Sequence, residues 1–444
     1  MNTMKKVLLI VLMATLSLCS TVSAGERQAS PNVVLLSVDT LRADRLSGYG
    51  HTRKTSPNID ALMKRGVRFE NAYTVVPLTA PCFSSVMMSR YPHETGLTRN
   101  GLSVKVKFPT MAEVFRKAGY ATGCVQSNWT VKRESGLDRG FDHYDDDFKR
   151  IRSVGVTERD AKYVTKFAME WLESIRKKKK PFFLWAHYSD PHSPYIYRKD
   201  FKLPLLESEL FLSPGYRYDT EVAYADHYIG KLIQGFRAKG LLKNTIILFM
   251  ADHGESLGEH AYYGHGRQVY EPMLKVPMAV TGPGIERGAV SNNNVMLLDV
   301  MPTILGLAGL ECPRKVRGHS IIGPDGAPNS FNRAEYFFET YRGHVFDLPG
   351  IEKVVPGVKP LLLGMRRGEW KFIYNPESGE TELYNMQSDP GELINLCSRK
   401  PSMRSEMVGK VTHWHKTTNP YMPKRRQRIS NEEREKLKAL GYIQ

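Results

Sequence analysis

The sequence predicts an α/β fold, a parallel or mainly parallel sheet flanked by helices and followed by a smaller C-terminal part. Three observations predict it. Short β-rich apolar runs alternate with helical patterns, as successive βαβ units do. The first run, residues 32–38, is apolar almost throughout, which suits a central strand covered on both faces. Beyond a Pro- and Gly-containing stretch at Pro324, Gly326 and Pro328 the pattern changes to runs that suit antiparallel strands.

Taken in order, strands are expected at 32–38, 120–125, 181–187, 245–251 and 277–281, each an apolar run ending near polar residues. Helical patterns lie between them at 57–65, 110–118, 160–176 and 218–237. Arg176 to Lys180 close one of these, and their cations suit the negative end of the helix dipole. The runs 364–374 and 381–384 predict antiparallel strands, and 432–440 a closing helix.

The chain has 444 residues, enough for two or three domains or for one large α/β domain with an added subdomain. At 41% hydrophobic and 25% charged it falls outside the disordered, collagen-like and multi-spanning membrane classes. Its outlying number is the net charge of +17, which predicts attraction to a polyanion. Lys5 and Lys6, the apolar run 7–18 and Val22-Ser23-Ala24 predict a secretory signal peptide over residues 1–24, so a secreted or periplasmic protein. That compartment sets nucleic acid aside as a partner, and no integral span is expected after leader removal. Four cysteines remain, Cys82, Cys124, Cys312 and Cys397; their spacing fits no zinc pattern and leaves pairing open, as it leaves oligomeric state.

Chemistry-bearing residues gather where strands end, the place where ligands bind in open α/β sheets. Asp39 follows the first strand, and Asp252-His253-Gly254-Glu255 follows the strand at 245–251. Two Asp and one His there predict a divalent-cation site for calcium, magnesium, manganese or zinc. His187, Asp190 and His192 follow another strand, and His265 lies in a Gly264-His265-Gly266 loop. Imidazoles so placed can protonate a leaving oxygen, bind an oxyanion or ligate a second metal.

Val38-Asp39-Thr40-Leu41-Arg42-Ala43-Asp44, Thr55-Ser56-Pro57-Asn58-Ile59-Asp60, Phe69-Glu70-Asn71-Ala72-Tyr73, Arg90-Tyr91-Pro92-His93, Asp190-Pro191-His192-Ser193-Pro194-Tyr195 and Asp252-His253-Gly254-Glu255 resemble, in order, the landmarks of the sulfatase family of the alkaline phosphatase superfamily. Leu298-Asp299-Val300-Met301-Pro302-Thr303, Glu382-Leu383-Tyr384 and Asp389-Pro390-Gly391-Glu392 resemble its later motifs. The resemblance implies an alkaline phosphatase-like fold: a catalytic domain at 25–330 with a large mixed, mainly parallel sheet, and a C-terminal α+β subdomain at 331–444. It implies Asp39, Asp252 and His253 as metal ligands, with calcium the family's usual ion and manganese or zinc as alternatives.

This chain departs from the family at several positions, among them His253, where many members have Asn. Thr40 stands where a second Asp is usual. Sulfatases use a Cys, oxidised to formylglycine, within Cys-x-Pro-x-Arg; that position holds Thr79, in Thr79-Ala80-Pro81-Cys82-Phe83, so Cys82 is out of register and Phe83 replaces the Arg. Ser127-Asn128-Trp129 replaces a Lys-Trp-His, and His265 replaces a lysine that faces the substrate's anionic oxygens. The resemblance therefore implies Thr79 as both nucleophile and metal ligand, His192 and His265 as catalytic groups, and Asn100, Asp190 and His187 as substrate contacts. The expected activity is hydrolysis of sulfate esters, including those on polyanionic glycans. The alternatives are a phosphodiesterase or phosphonate ester hydrolase using Thr79, and an inactive anion-binding protein.

Overall fold

The structure, a computed structural model, describes residues 30–148, 158–207, 209–341, 359–418, 421 and 430–439. The leader expected at residues 1–24 lies outside the described residues.

Eight strands build the main sheet: β1 (Asn32–Val38), β2 (Gly66–Tyr73), β3 (Ala121–Val125), β4 (His143–Asp145), β5 (Phe182–Tyr188), β6 (Thr245–Ala251), β9 (Lys275–Thr281) and β10 (Ala289–Met296). Two short strands, β7 (Ser256–Leu257) and β8 (Tyr263–Gly264), pair apart from it in the loop after β6. The order across the main sheet is β10-β2-β9-β6-β1-β5-β3-β4. Only β9 runs against its neighbours β6 and β2, so the sheet is mixed and mainly parallel, as the sequence predicts. β1 lies between β6 and β5 and is buried beyond its half-buried first residue, Asn32: Val33 to Leu36 and Val38 are all at most 1% exposed. Each such side chain contributes roughly 1.5–3 kcal/mol relative to leaving it in water.

The strands expected from apolar runs form within two residues of their predicted ends. In the main sheet β2, β4 and β10 are additional, and the short β7 and β8 and the strand over Glu335–Thr340 also lie outside the expected runs. β10 reads Ala-Val-Ser-Asn-Asn-Asn-Val-Met, carries a register shift and closes the sheet at one edge, so its polar residues reach water and no apolar run marks it. Helices cover the faces, with Ala161–Ile175 seated on β3. A Cβ on Gly123 would come within 2.4 Å of the Trp171 ring, so glycine is what lets that helix approach.

The second sheet is antiparallel, in the order β11 (Glu335–Thr340), β12 (Leu362–Arg367), β13 (Trp370–Tyr374) and β14 (Thr381–Asn385). The helix Pro401–Thr417 packs on β12 and β13, and a closing helix runs over Asn431–Ala439. His93, in the short helix Pro92–Thr95, is tied to the C-terminal part: its Nδ1 lies 2.6 Å from Glu339 of β11 and its Nε2 2.6 Å from Thr418. Cys82, Cys124, Cys312 and Cys397 are all free thiols. Among the described residues no helix is long and apolar enough to cross a membrane.

Candidate metal and anion site

Parallel strands bring their carboxyl ends to one edge, and the ladder fixes which residues meet there. Val38 of β1 pairs with Ala251 of β6, so the next residues, Asp39 and Asp252, emerge side by side. On the other flank Ser37 pairs with His187 of β5. β2 runs parallel to β1 and feeds the helix Thr79–Met88, which presents Thr79 in its first turn.

Each carboxylate has one oxygen tied down and one left over. Asp252 Oδ1 accepts from the amides of Thr40 (3.2 Å) and His253 (2.9 Å), and Asp39 Oδ2 accepts from Asn128 Nδ2. Asp252 Oδ2 and Asp39 Oδ1 are buried without a hydrogen bond among the described residues. They lie 3.5 and 3.6 Å from His253 Nε2, and Thr79 Oγ1 is 3.4 Å from the same nitrogen. His253 Nδ1 donates to the Gly254 carbonyl at 2.9 Å, which leaves the Nε2 lone pair aimed at this centre. The donor atoms of Asp39, Asp252 and His253 all lie within 4.8 Å of one another.

Two adjacent buried carboxylates repel each other and resist ionisation. Burial, then Asp252, raises Asp39 well above the usual carboxylate range, and burial raises Asp252 to about 7. Orphaned carboxylate oxygens beside an imidazole lone pair and a hydroxyl fit a divalent cation. Thr40 does not add a ligand. Its hydroxyl donates to the Asp39 carbonyl at 2.8 Å, its backbone sits at φ 55°, and its amide serves only to hold Asp252. Gly254 is required by the turn, since a Cβ there would lie 2.0 Å from the Pro272 carbonyl oxygen.

Three histidines wall the centre. Ring centroids of His253 and His265 are 4.5 Å apart, and those of His265 and His192 5.2 Å. His265 Nδ1 is 3.0 Å from Glu255, and burial followed by the His192 charge holds the ring well below its ordinary pKa. The cation of this wall is His192. Burial alone would lower His192, but Glu158, 2.8 Å from its Nδ1, with Asp39 and Glu255, pushes it up to about 10. His187 stands behind Asp39, its Nε2 3.9 Å from Asp39 Oδ2; burial, then His253, takes it down to about 3, so it is neutral.

Asn100 accepts from the amide of Ala80, the residue after Thr79, at 3.0 Å through Oδ1, and its buried NH2 makes no hydrogen bond among the described residues. Asp190 is placed differently from its expected substrate role: its oxygens accept from the Ala161 amide (2.9 Å) and Arg198 (2.6 Å), so it caps a helix and fixes the loop. Cys82 directs its thiol at the Asp252 carbonyl, 3.1 Å away, and burial, then Asp252, raises it well above the ordinary thiol range. A buried, protonated thiol is a poor nucleophile and a poor target for oxidation. Phe83, at the family's Arg position, packs on Trp185 and His187 with ring centroids 4.6 and 4.7 Å apart.

Glu158 and Asn128 are the site residues that sequence reasoning missed. Asn128 ties down Asp39 and forms an isolated bridge with Glu158, so the segment that lacks the family's cations instead anchors a ligand and a charge partner. A second cluster, His93, Glu339 and His415, also has metal-ligand residue types. There His93 has a protein partner at each ring nitrogen, Glu339 and Thr418, both at 2.6 Å, and the Thr418 hydroxyl also lies 2.7 Å from the Trp414 carbonyl.

The sulfatase family model matches residues 31–310, and a model for the C-terminal part of N-sulphoglucosamine sulphohydrolase matches 258–416. A choline-sulfatase of Rhizobium meliloti (strain 1021) is 25% identical, over 86% of this chain and 87% of its own length. An N-acetylglucosamine-6-O-sulfatase of Bacteroides thetaiotaomicron is also 25% identical, over 88% and 87%. Among solved structures, one in complex with its substrate D-glucosamine-2-N,6-O-disulfate superposes with a TM-score of 0.71 at 21% identity, covering 88% of this chain and 98% of that one. A phosphonate monoester hydrolase of Agrobacterium radiobacter gives 0.70 at 17% identity, covering 88% and 96%. These structural likenesses show a shared fold.

Proposed function

The chain belongs to the sulfatase family, and we propose that it is a divalent-metal-dependent sulfuric ester hydrolase with Thr79 in the nucleophile's place. The observation that carries this reading is the buried convergence of Thr79 Oγ1, His253 Nε2 and the two orphaned oxygens of Asp39 and Asp252. A divalent cation held by these four residues would neutralise the carboxylates and stabilise negative charge on the attacking and non-bridging oxygens. The donor set is three oxygens and one nitrogen, and Thr40 withholds the usual extra carboxylate. That is thin for calcium, which takes six to eight oxygens, and favours manganese or zinc.

Within this reading the Thr79 hydroxyl releases its proton to solvent and its Oγ1 attacks sulfur in line, forming one S–O bond as the bond to the alcohol breaks. His192 is the cationic donor. Glu158 holds its Nδ1, so Nε2 delivers a proton to the departing oxygen. The Asn100 NH2 supports a non-bridging oxygen, and His265, oriented by Glu255, completes the wall. The resulting threonine sulfate ester has no second hydroxyl of its own to expel sulfate, so water completes the cycle.

The substrate proposed is a sulfate ester on a glycan. The glucosamine-based substrates named for relatives support it, as does the excess of positive charge. Export to a secreted or periplasmic location fits such a substrate and rests on the N-terminal pattern alone. A second reading, phosphonate or phosphodiester hydrolysis, is favoured by the hydroxyl nucleophile position and by Asn100. Turnover of paired aryl sulfate, phosphate diester and phosphonate substrates, after chelation and re-addition of single metals, decides between them. Sulfate turnover restored by manganese or zinc is the expected result; preference for a phosphorus ester sinks the sulfatase reading. Tight anion binding without turnover of any substrate points to a binding protein.

A further inference from the structure

Outside the catalytic set, a groove of about 1080 Å³ runs between the segment around residues 104–109, the helix Met111–Lys117 and the loop that follows the helix Val300–Leu307. None of its lining residues belongs to the catalytic set. Lys117 leads into the amino end of β3, whereas the catalytic residues sit at the carboxyl ends of the strands.

Its floor and rim differ in chemistry. Val104, Val106, Val114 and Leu310 form an apolar floor. In the run Val104-Lys105-Val106-Lys107 the valines are half-buried and the lysines exposed, so alternation sends one side chain into the groove floor and the next to its rim. Five cations line the groove against two acids, Glu113 and Glu311. Glu113 is already taken by Arg139 at 2.9 Å. Lys107, Lys117 and Arg314 make no ion pair among the described residues, and Lys105 bonds only the Ser103 hydroxyl, at 2.7 Å. A protein that held this charge only for solubility would be expected to intersperse acids among it.

We propose that this groove is a second binding site for a sulfated polysaccharide chain, separate from the site of hydrolysis. Unpaired cations along both rims complement a linear polyanion, and the apolar floor suits the faces of sugar rings. The choice of a sulfated glycan over other polyanions rests on the sulfatase reading; the groove and its charge do not. Its function would be to hold a polymer to the enzyme between turnovers, raising the local concentration of ester groups without touching the reacting centre.

The test uses the full chain and heparin as the sulfated polysaccharide. Reversing the rim, K105E/K107E/K117E/R314E, is compared with a control of equal charge change, K177E/K178E/K179E/K180E, and with the single reversals K117E and R314E. The proposal expects heparin affinity at about 0.15 M salt to fall at least tenfold for the rim variant and less than threefold for the control. The singles should be intermediate, and kcat/KM for a small aryl sulfate should stay within twofold throughout. Equal losses in rim and control variants overturn it, because the charge then acts globally. Duplex DNA held more tightly than heparin, and lost with the same rim reversal, also overturns it by making the partner a nucleic acid. Absent aryl sulfate turnover in the unaltered protein tells against the sulfatase reading alone, since heparin retention reports on the groove independently.

Discussion

Replacing Glu158 by Gln removes the charge that makes His192 a cation. In the structure the two are fully buried and 2.8 Å apart, and His192 stands at about 10 against an ordinary 6.5. That upward shift corresponds to about 5 kcal/mol of preference for the protonated ring, and Glu158 is the first of the groups that raise it, ahead of Asp39 and Glu255. With Gln at 158 the pKa should fall by roughly three units, to about 6.5–7. At pH 8 the cationic fraction then drops to between about 3 and 10%, so kcat/KM for an aryl sulfate falls roughly 10- to 30-fold, while at pH 6 it falls less than about twofold. The assay is the pH profile of kcat/KM from pH 5 to 10.5, in which the alkaline limb should move from near pH 10 to near neutrality. Stability has its own signature. The folded pKa lies above the unfolded one, so the ion pair stabilises fully below pH 6.5 and this contribution is lost as pH rises through about 10. Breaking a buried pair typically costs about 3–5 kcal/mol, so Glu158→Gln should melt lower at pH 6, with the difference narrowing as pH rises. An alkaline limb left in place, or an equal loss of activity at every pH, refutes the reasoning and reduces Glu158 to a packing residue.

Other substitutions test separate parts of the site. Thr40→Asp should tighten divalent-metal affinity by tenfold or more, read by calorimetry after chelation, because it adds a carboxylate where the backbone at φ 55° suits Asp better than a β-branched residue. Gly254→Ala should abolish metal binding or lower the melting temperature sharply, since its Cβ would enter the space of the Pro272 carbonyl. Cys82→Ala should leave turnover within about threefold, a change that a formylglycine-dependent enzyme could not survive. Phe83→Arg, which restores the family's charge but breaks contacts with Trp185 and His187, should cost about 3 kcal/mol or more of stability by burying an unpaired cation.

What could be read from sequence was whatever is local along the chain. Buried strands such as β1 and β6 announce themselves as apolar runs, and an Asp immediately after each is legible as a ligand because the ladder leaves little choice about where the next residue goes. β10 was not legible, since an edge strand with three consecutive asparagines carries no apolar pattern. Glu158 was invisible for another reason: it lies 34 positions before His192 with no motif linking them, and only the bridge to Asn128 brings it in. Charge state was least legible. His192, His253 and His265 are the same residue type within one cluster, yet burial and neighbouring carboxylates leave one cationic and two neutral. Asp190 shows the converse, a residue inside a recognisable motif whose carboxylate is occupied by a helix amide and Arg198.

The central claim is that Thr79 is the attacking group, and turnover of an aryl sulfate by Thr79→Ala, with its metal content measured alongside, tests it most directly. The account predicts that kcat falls by at least about a thousandfold while the protein keeps its fold and still binds sulfate. Activity within a fewfold of the unaltered protein would contradict it and return the search for the nucleophile to Cys82 or to water.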